Sequence, residues 1–392
     1  MSHITEIQPV FHAAMLGLLL VAACTPSDPY AHLASPTMET LPGGMRVVKN
    51  LGPTAWTDTS GWKLVLERTI HPAEGSPGAL SGPRAIVADD SGRVFVLDRK
   101  PGQIKWFNAD GSFGGLIGRA GGGPGEYQDY GWLYIVNDTL VHLDPSQGRM
   151  SAFTAAGAFI RSWPGLSRYA NDQVADDSGR VPTGVRLGEG GINSGQGLIR
   201  FHADGTVADS LWYPSAPEPK TWSLKTKTQD LGMLVPFVPD QVAITDRAGR
   251  MVSGNQGRYR LIFSRNGKDT SLIVEGIAQA LPISDSLRRA TLAESVKDAK
   301  WLLSIAKLED IPTTFPVWTN LIADGENNLW VLRAGPSGDG EFFDVFAASG
   351  ALLGKVPAPF REVESTYWAR DRVYVVAEAD DVPVIRVYRI RK

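Results

Sequence analysis

The stretch GPRAIVADDSGRVFVLDRKPGQIKWFNADGSFGGLIG, residues 82–118, holds four short apolar runs, each closed by a turn. Ala85-Ile86-Val87-Ala88 is the first run, and Asp89-Asp90-Ser91-Gly92 the turn that ends it. There Asp and Ser side chains bond local backbone and Gly accepts a positive φ. Arg93 to Asp98 is β-branched and aromatic, which favours a strand. Its Val-Phe-Val-Leu centre is continuous rather than alternating, the mark of a strand covered on both faces. Arg99-Lys100-Pro101-Gly102 breaks it and Ile104 to Phe107 is a third strand. Asn108-Ala109-Asp110-Gly111 is a second tight turn, and Ser112 to Ile117 a fourth strand.

The unit recurs. Its segment VADDSGRV, Val87 to Val94, reappears letter for letter as Val174 to Val181. Ala109-Asp110-Gly111 returns as Ala203-Asp204-Gly205, while Leu143-Asp144 and Gly157 repeat Leu97-Asp98 and Gly111. Four antiparallel strands in about 40–45 residues, covered on both faces, is the size and pattern of a β-propeller blade. The expected fold is all-β, a six-bladed β-propeller of four-stranded antiparallel blades.

Working outward, further units run from Gly131 to Trp163 and from Ala175 to Trp212, the latter with an expanded loop at Gly184–Gly197. A fourth centres on Ala243–Arg250 and continues through Tyr259–Phe263, and a fifth spans Asn320 to Val356. The sixth runs from Tyr367 through Arg372–Val376 to Ile385–Ile390 and holds three strands before the chain ends. The alternating stretch Trp62–Glu67 is a strand without a blade, so the N-terminal strand is expected to complete the last blade and close the ring. Residues 284–311 break the pattern. Leu292, Val296, Ala299, Leu303 and Ala306 fall at helical spacing and Pro312 stops the segment, which predicts a helical insertion between blades 4 and 5. The remaining chain from Trp62 to Lys392 accommodates six units of about 45 residues.

With 392 residues, 43% apolar and 21% charged, the composition is that of a globular protein with a large core. A net charge of −3 gives no sign of a nucleic-acid partner. The single cysteine excludes an intrachain disulfide framework and a cysteine-rich metal site. Its position is informative: the apolar run Ala13–Ala23, too short to span a bilayer, ends in Leu20-Val21-Ala22-Ala23-Cys24. This resembles a bacterial lipobox, with small residues before a cysteine that is lipidated and becomes the mature N-terminus. The resemblance implies a signal peptide over residues 1–23, lipidation at Cys24, and a membrane partner reached through the acyl chains, hence a cell-envelope location. Residues 1–10 lack the Lys or Arg usual in a signal peptide. Residues 24–60, rich in Pro, Ser and Thr, read as a lipidated flexible tether with one strand at Met45–Val48, and residues 61–392 as the propeller.

The opening unit resembles the bacterial six-bladed β-propeller lipoproteins, NHL-repeat-like and TolB-like. The matching residues are Pro83 and the strand after it, Asp89 to Val96, Ile104 to Phe107, Asp110-Gly111, and the Gly-rich linker Gly118 to Tyr127. The resemblance covers residues 82–129. It implies fold and envelope context and no single activity, because propellers host binding, scaffolding and several enzyme classes.

The linker Gly121–Gly125 lacks the Gly-Lys-Ser/Thr ending of a phosphate loop and lies between strands, so it reads as an inter-blade connection. Such linkers cross the face where propellers bind ligands, which nominates Arg84, Glu126 and Tyr127 as lining residues. Trp132 and Trp368, near strand starts, are the tryptophans expected at the channel end, whereas Trp106, Trp163 and Trp330 belong to the inter-blade core. No residue is nominated as catalytic or as a metal ligand: there is no Gly-x-Ser-x-Gly elbow, and His71, His142 and His202 are scattered. Two functions remain open. One is a non-enzymatic binding or scaffold propeller for a protein or small-molecule ligand. The other is a hydrolase or lyase of gluconolactonase type, with a divalent cation held by carboxylate and Asn side chains in the central channel.

Overall fold

The computed structural model describes residues 36–56, 61–128, 131–136, 138–165, 174–186, 196–214, 219–227, 229–333, 341–360 and 365–392. The chain is a six-bladed β-propeller. Blade 1 is made of Pro83–Ala88, Val94–Asp98, Gln103–Phe107 and Phe113–Ile117, paired antiparallel in that order. Blade 2 repeats it with Trp132–Val136, Thr139–Asp144, Arg149–Thr154 and Phe159–Pro164. Blade 3 shows Val181–Arg186, Gln196–Phe201 and Val207–Trp212, with Val174 and Ala175 on its channel side. Its ladder runs on to Arg186↔Gln196, so the loop expected at Gly184–Gly197 is shorter at both ends than the glycines suggested. Blade 4 comprises Gln241–Thr245, Met251–Asn255, Arg260–Ser264 and Thr270–Gly276, and blade 5 Asn320–Ala323, Leu329–Arg333, Phe342–Phe346 and Leu352–Pro357.

Blade 6 takes Thr366–Trp368, Arg372–Ala379 and Val382–Arg391 from the end of the chain and Lys63–Ile70 from its beginning. The closing strand pairs antiparallel from Ile385↔Ile70 to Arg391↔Lys63, which is the closure the orphan strand predicted. Glu67 on that strand meets Arg372 at 2.8 Å and Arg389 at 2.7 Å. Those two guanidinium groups, Arg372 foremost, hold its carboxyl down at about 2.

The continuous apolar runs behave as their patterning requires. Val94, Phe95, Val96 and Leu97 are all buried, each contributing on the order of 1.5–3 kcal/mol. The apolar clusters lie between blades, not within them. Blade 1 packs on Leu133, Leu140 and Phe153 of blade 2 and on Tyr374, Ile385 and Val387 of blade 6. Trp163 and Trp330 are buried between blades, and Trp106 packs on Gly114 and Gly115, where a Cβ at Gly114 would come within 2.4 Å of the indole.

Two expectations change. The signal region and Cys24 lie outside the described residues, but the later part of the segment expected as a flexible tether is folded. Thr37–Thr40 pairs with Arg46–Asn50, which adds parallel to Thr270–Gly276 as a fifth strand of blade 4. The cause is the apolar pair Val47-Val48, buried against that blade, and Asn50, which is 3% exposed. The Asn50 amide donates to Gly350 O at 3.0 Å and accepts from Leu352 N at 2.7 Å, tying blade 4's outer edge to blade 5. The helical insertion is helix α1, Asp285–Asp298, capped by Ser284, followed by two 3-10 turns at Lys300–Ser304 and Leu308–Asp310. The break at Ala299 (φ −135°) rotates the chain, so Leu302 is buried and Leu303, expected on the apolar stripe, is 73% exposed.

Candidate functional site: the axial cavity

Among the described residues the inner strands of blades 1, 2, 4, 5 and 6 pair on one edge only: each is hydrogen-bonded to the second strand of its own blade, and its other edge faces the axis. A strand edge presents alternating N–H and C=O groups. The axis therefore holds a cavity of about 280 Å³ walled by consecutive inner-strand residues, among them 84–87, 131–135 and 320–323. Strand direction gives it two ends. At one end the inner strands begin, with Arg84, Trp132, Asn320 and Ser365. At the other end they finish in Asp turns.

The Asp turns explain where the repeated carboxylates go. Asp89, Asp176, Asp246 and Asp324 are buried, and each accepts from the backbone N–H four residues on, at 2.9, 3.0, 2.8 and 2.9 Å. In three of them the second oxygen accepts from an Arg Nε, of Arg93, Arg180 and Arg250, at 2.6–2.7 Å. In blade 5 it accepts from Asn328 Nδ2 and Trp330 Nε1. Burial raises the carboxyls of Asp246 and Asp324 above the ordinary range despite these donors. These carboxylates build turns, as backbone chemistry alone requires.

A second set latches the linkers. Asp98 is fully buried, accepts from Gly82 N at 2.7 Å and pairs with Lys105 Nζ at 2.8 Å, and Asp144 accepts from Gln128 N at 2.7 Å. The match of Leu97-Asp98 to Leu143-Asp144 in the sequence is thus a structural equivalence: the same carboxylate catches the chain as it enters each blade.

Of the four nominated residues, Arg84 and Trp132 line the cavity, as does Trp368. The structure does not bring Glu126 and Tyr127 there. Glu126 accepts from Gly123 N at 2.8 Å and pairs with Arg119 at 2.7 Å, and these donors, the backbone N–H first, hold its carboxyl below the ordinary range. Tyr127 is 2% exposed, its hydroxyl accepting from Ile104 N at 2.8 Å and donating to Ile117 O at 2.9 Å. Burial pushes that phenol up to about 12. The Gly-rich linker folds back on itself because Gly118 and Gly121 leave no room for a side chain: a Cβ would meet Tyr127 at 2.7 Å and Glu126 at 2.2 Å respectively. The pair thus staples blade 1 to the linker that follows it.

The residue that sequence reading missed is Arg247. It follows Asp246 in the blade 4 turn, lines the cavity, and reaches across the axis. Its Nη2 donates to the Tyr367 hydroxyl of blade 6 at 2.8 Å, its Nη1 to Ala175 O beside blade 3 at 3.4 Å, and its guanidinium lies 5.4 Å from the Tyr367 ring centre. One side chain thus spans three blades and floors the cavity. A signal existed in the repeat: the second turn position is Asp90, Asp177, Arg247 and Gly325 in successive turns, so the charge reverses once.

Among the described residues, the side chains lining the cavity include two arginines and neither a carboxylate nor an imidazole. Among the described residues no group of three or more His, Cys, Asp or Glu is placed to hold a metal ion. His142 lies instead in the core, its ring 5.0 Å from that of Tyr127. Among the described residues the cavity lining therefore offers no carboxylate to the divalent cation of the hydrolase reading.

No family model and no curated protein matches the chain. Among solved structures it is similar to a putative exported protein from Bacteroides fragilis, at 12% identity and a TM-score of 0.48, over 88% of this chain and 99% of that one. It is similar also to a DUF4221-family member from Bacteroides vulgatus (12%, TM-score 0.45, 84% and 99%). A third is virginiamycin B lyase from Staphylococcus aureus (12%, TM-score 0.40, 84% and 100%). At these TM-scores the likenesses carry nothing about ligand or activity.

Proposed function

We propose that this chain is a binding propeller of the cell envelope that takes a small molecule in its axial cavity. The observation that carries the reading is the cavity itself. At about 280 Å³ it lies near the lower end of the roughly 300–1,000 Å³ of small-molecule sites, and it combines aromatic walls with a few convergent polar groups. Attachment to a membrane surface would come through acylated Cys24. The support for that step is the apolar run that ends at the cysteine.

Native mass spectrometry of the protein, purified after incubation with a small-molecule extract of its host, tests the cavity. A bound species of defined mass is expected, lost when Ser365→Trp blocks the end where the inner strands begin. Undiminished capture by that variant would refute the reading. Cys24→Ala tests the anchor: acyl label and membrane association are expected to disappear together, and an unlabelled wild type would refute it.

A further inference from the structure

We propose that the ligand of the axial cavity is an anion, a carboxylate or a phosphate ester, whose charged group lands on the Arg247 guanidinium. This deepens the cavity reading and rests on it. A guanidinium has five N–H donors in a fixed fork that matches carboxylate and phosphate oxygens in pairs. Arg247 uses them sparingly. Its two described acceptors are neutral, a phenol oxygen and one distant carbonyl, and its Nε is buried with no acceptor. No carboxylate pairs with it among the described residues, in contrast to Arg93, Arg180 and Arg250 of the same turns, each held by its own Asp.

Placing a cation in a half-enclosed site with neutral partners costs free energy that an anion would recover. The neighbourhood favours that outcome. The Asp turns nearest Arg247 keep their buried carboxylates on their own arginines. Among the described residues the other acids of the turns at that end, Asp90, Asp138, Asp177, Glu326 and Asp371, are exposed and do not line the cavity. The aromatic rings of Trp132 and Tyr367 in the wall suit a ligand with an apolar body behind its charged group.

The competing account makes Arg247 a plug, selected only to tie three blades together. Thermal shift and calorimetric titration separate the two, with phosphate, phenyl phosphate, succinate and benzoate as probes, benzamide as neutral control and chloride as background. At least one anion is expected to bind saturably and benzamide not at all, the phosphate and carboxylate arms deciding which group is preferred. Arg247→Gln is expected to weaken that binding by more than about tenfold and Arg247→Lys by less. Circular dichroism checks that each variant is folded. If Arg247→Gln unfolds, the folded Arg247→Lys must still bind more weakly than wild type. Equal affinity in a folded Arg247 variant, or no saturable binding by any anion, overturns the assignment. The two readings fail differently. Binding lost in Ser365→Trp but kept in Arg247→Gln leaves the cavity standing and removes the anion, whereas binding kept in Ser365→Trp removes the cavity.

Discussion

Blades 1 and 3 share eight identical consecutive residues and use them differently. The local result is the same. Asp89 and Asp176 each accept from the backbone N–H two residues on at 3.0 Å, and Gly92 and Gly179 sit at φ +83° and +75°. The environment is not. In blade 1, Asp89 holds only Arg93, and the buried cation of the third strand, Lys105, is neutralised separately by Asp98. In blade 3, Asp176 holds Arg180 and also Arg200, which comes from the next strand and is 3% exposed, and Asp209 joins both arginines. Burial pushes the Asp209 carboxyl up, and the Arg200 and Arg180 guanidinium groups pull it below the ordinary range. An identical peptide therefore fixes an identical turn, while what the turn is worth depends on residues tens of positions away.

Substitutions at the shared aspartates should break that equivalence most sharply. Asp176→Ala removes the same turn bonds as Asp89→Ala and also takes one of two carboxylates from the buried Arg200, which keeps Asp209, and is expected to cost about 2–4 kcal/mol. Asp89→Ala removes local turn bonds and is expected to cost about 1–3 kcal/mol. Urea denaturation of both variants decides it, and equal losses would mean the blade 3 network adds nothing. Next in size, Lys105→Met leaves Asp98 buried with only the neutral donors of Ser81 and Gly82 and should cost about 3 kcal/mol. Arg200→Met leaves Asp176 and Asp209 both paired with Arg180 and should cost less than about 1.5 kcal/mol.

The blade beside blade 1 offers a milder contrast, read by pH. Glu67 ionises in the folded protein at about 2 against an ordinary 4.5. Its contribution to ring closure is therefore present in full above pH 4.5 and is lost as pH falls from there towards 2. Glu67→Gln should flatten the fall of the urea midpoint across that window, whereas unchanged acid sensitivity would detach ring closure from this carboxylate. The smallest effect should be the most equal one. Gly92→Ala and Gly179→Ala each force a side chain into left-handed backbone, at about 1 kcal/mol apiece, and a clear difference between them would show that even the turn is context-dependent.

How much could be read beforehand follows the range of the interactions. The turns, the doubly covered strands and the orphan strand that closes blade 6 are set by spacing and by residue type within a few positions. The identical octapeptide was therefore enough to reveal the repeat. Arg84 and Trp132 line the cavity because they stand where the inner strands begin. Glu126 and Tyr127 were misplaced because linker logic cannot say which way a side chain turns. That depends on Gly118 and Gly121 letting the loop fold back over them.

The strand expected at Met45–Val48 is present as Arg46–Asn50, but its place in the ring was hidden, since a Val-Val pair and an asparagine gain a partner only when blade 4 offers its outer edge. So the sequence alone determined the repeat, the ring, its closure and the turn chemistry, because each is a matter of local conformation and of which faces must be hidden from water. Only the tertiary structure decided that Arg247, one sign reversal in a repeated turn, reaches across the axis to Tyr367. Positions 247 and 367 are brought together by the curvature of the whole ring and by nothing in the chain near either one.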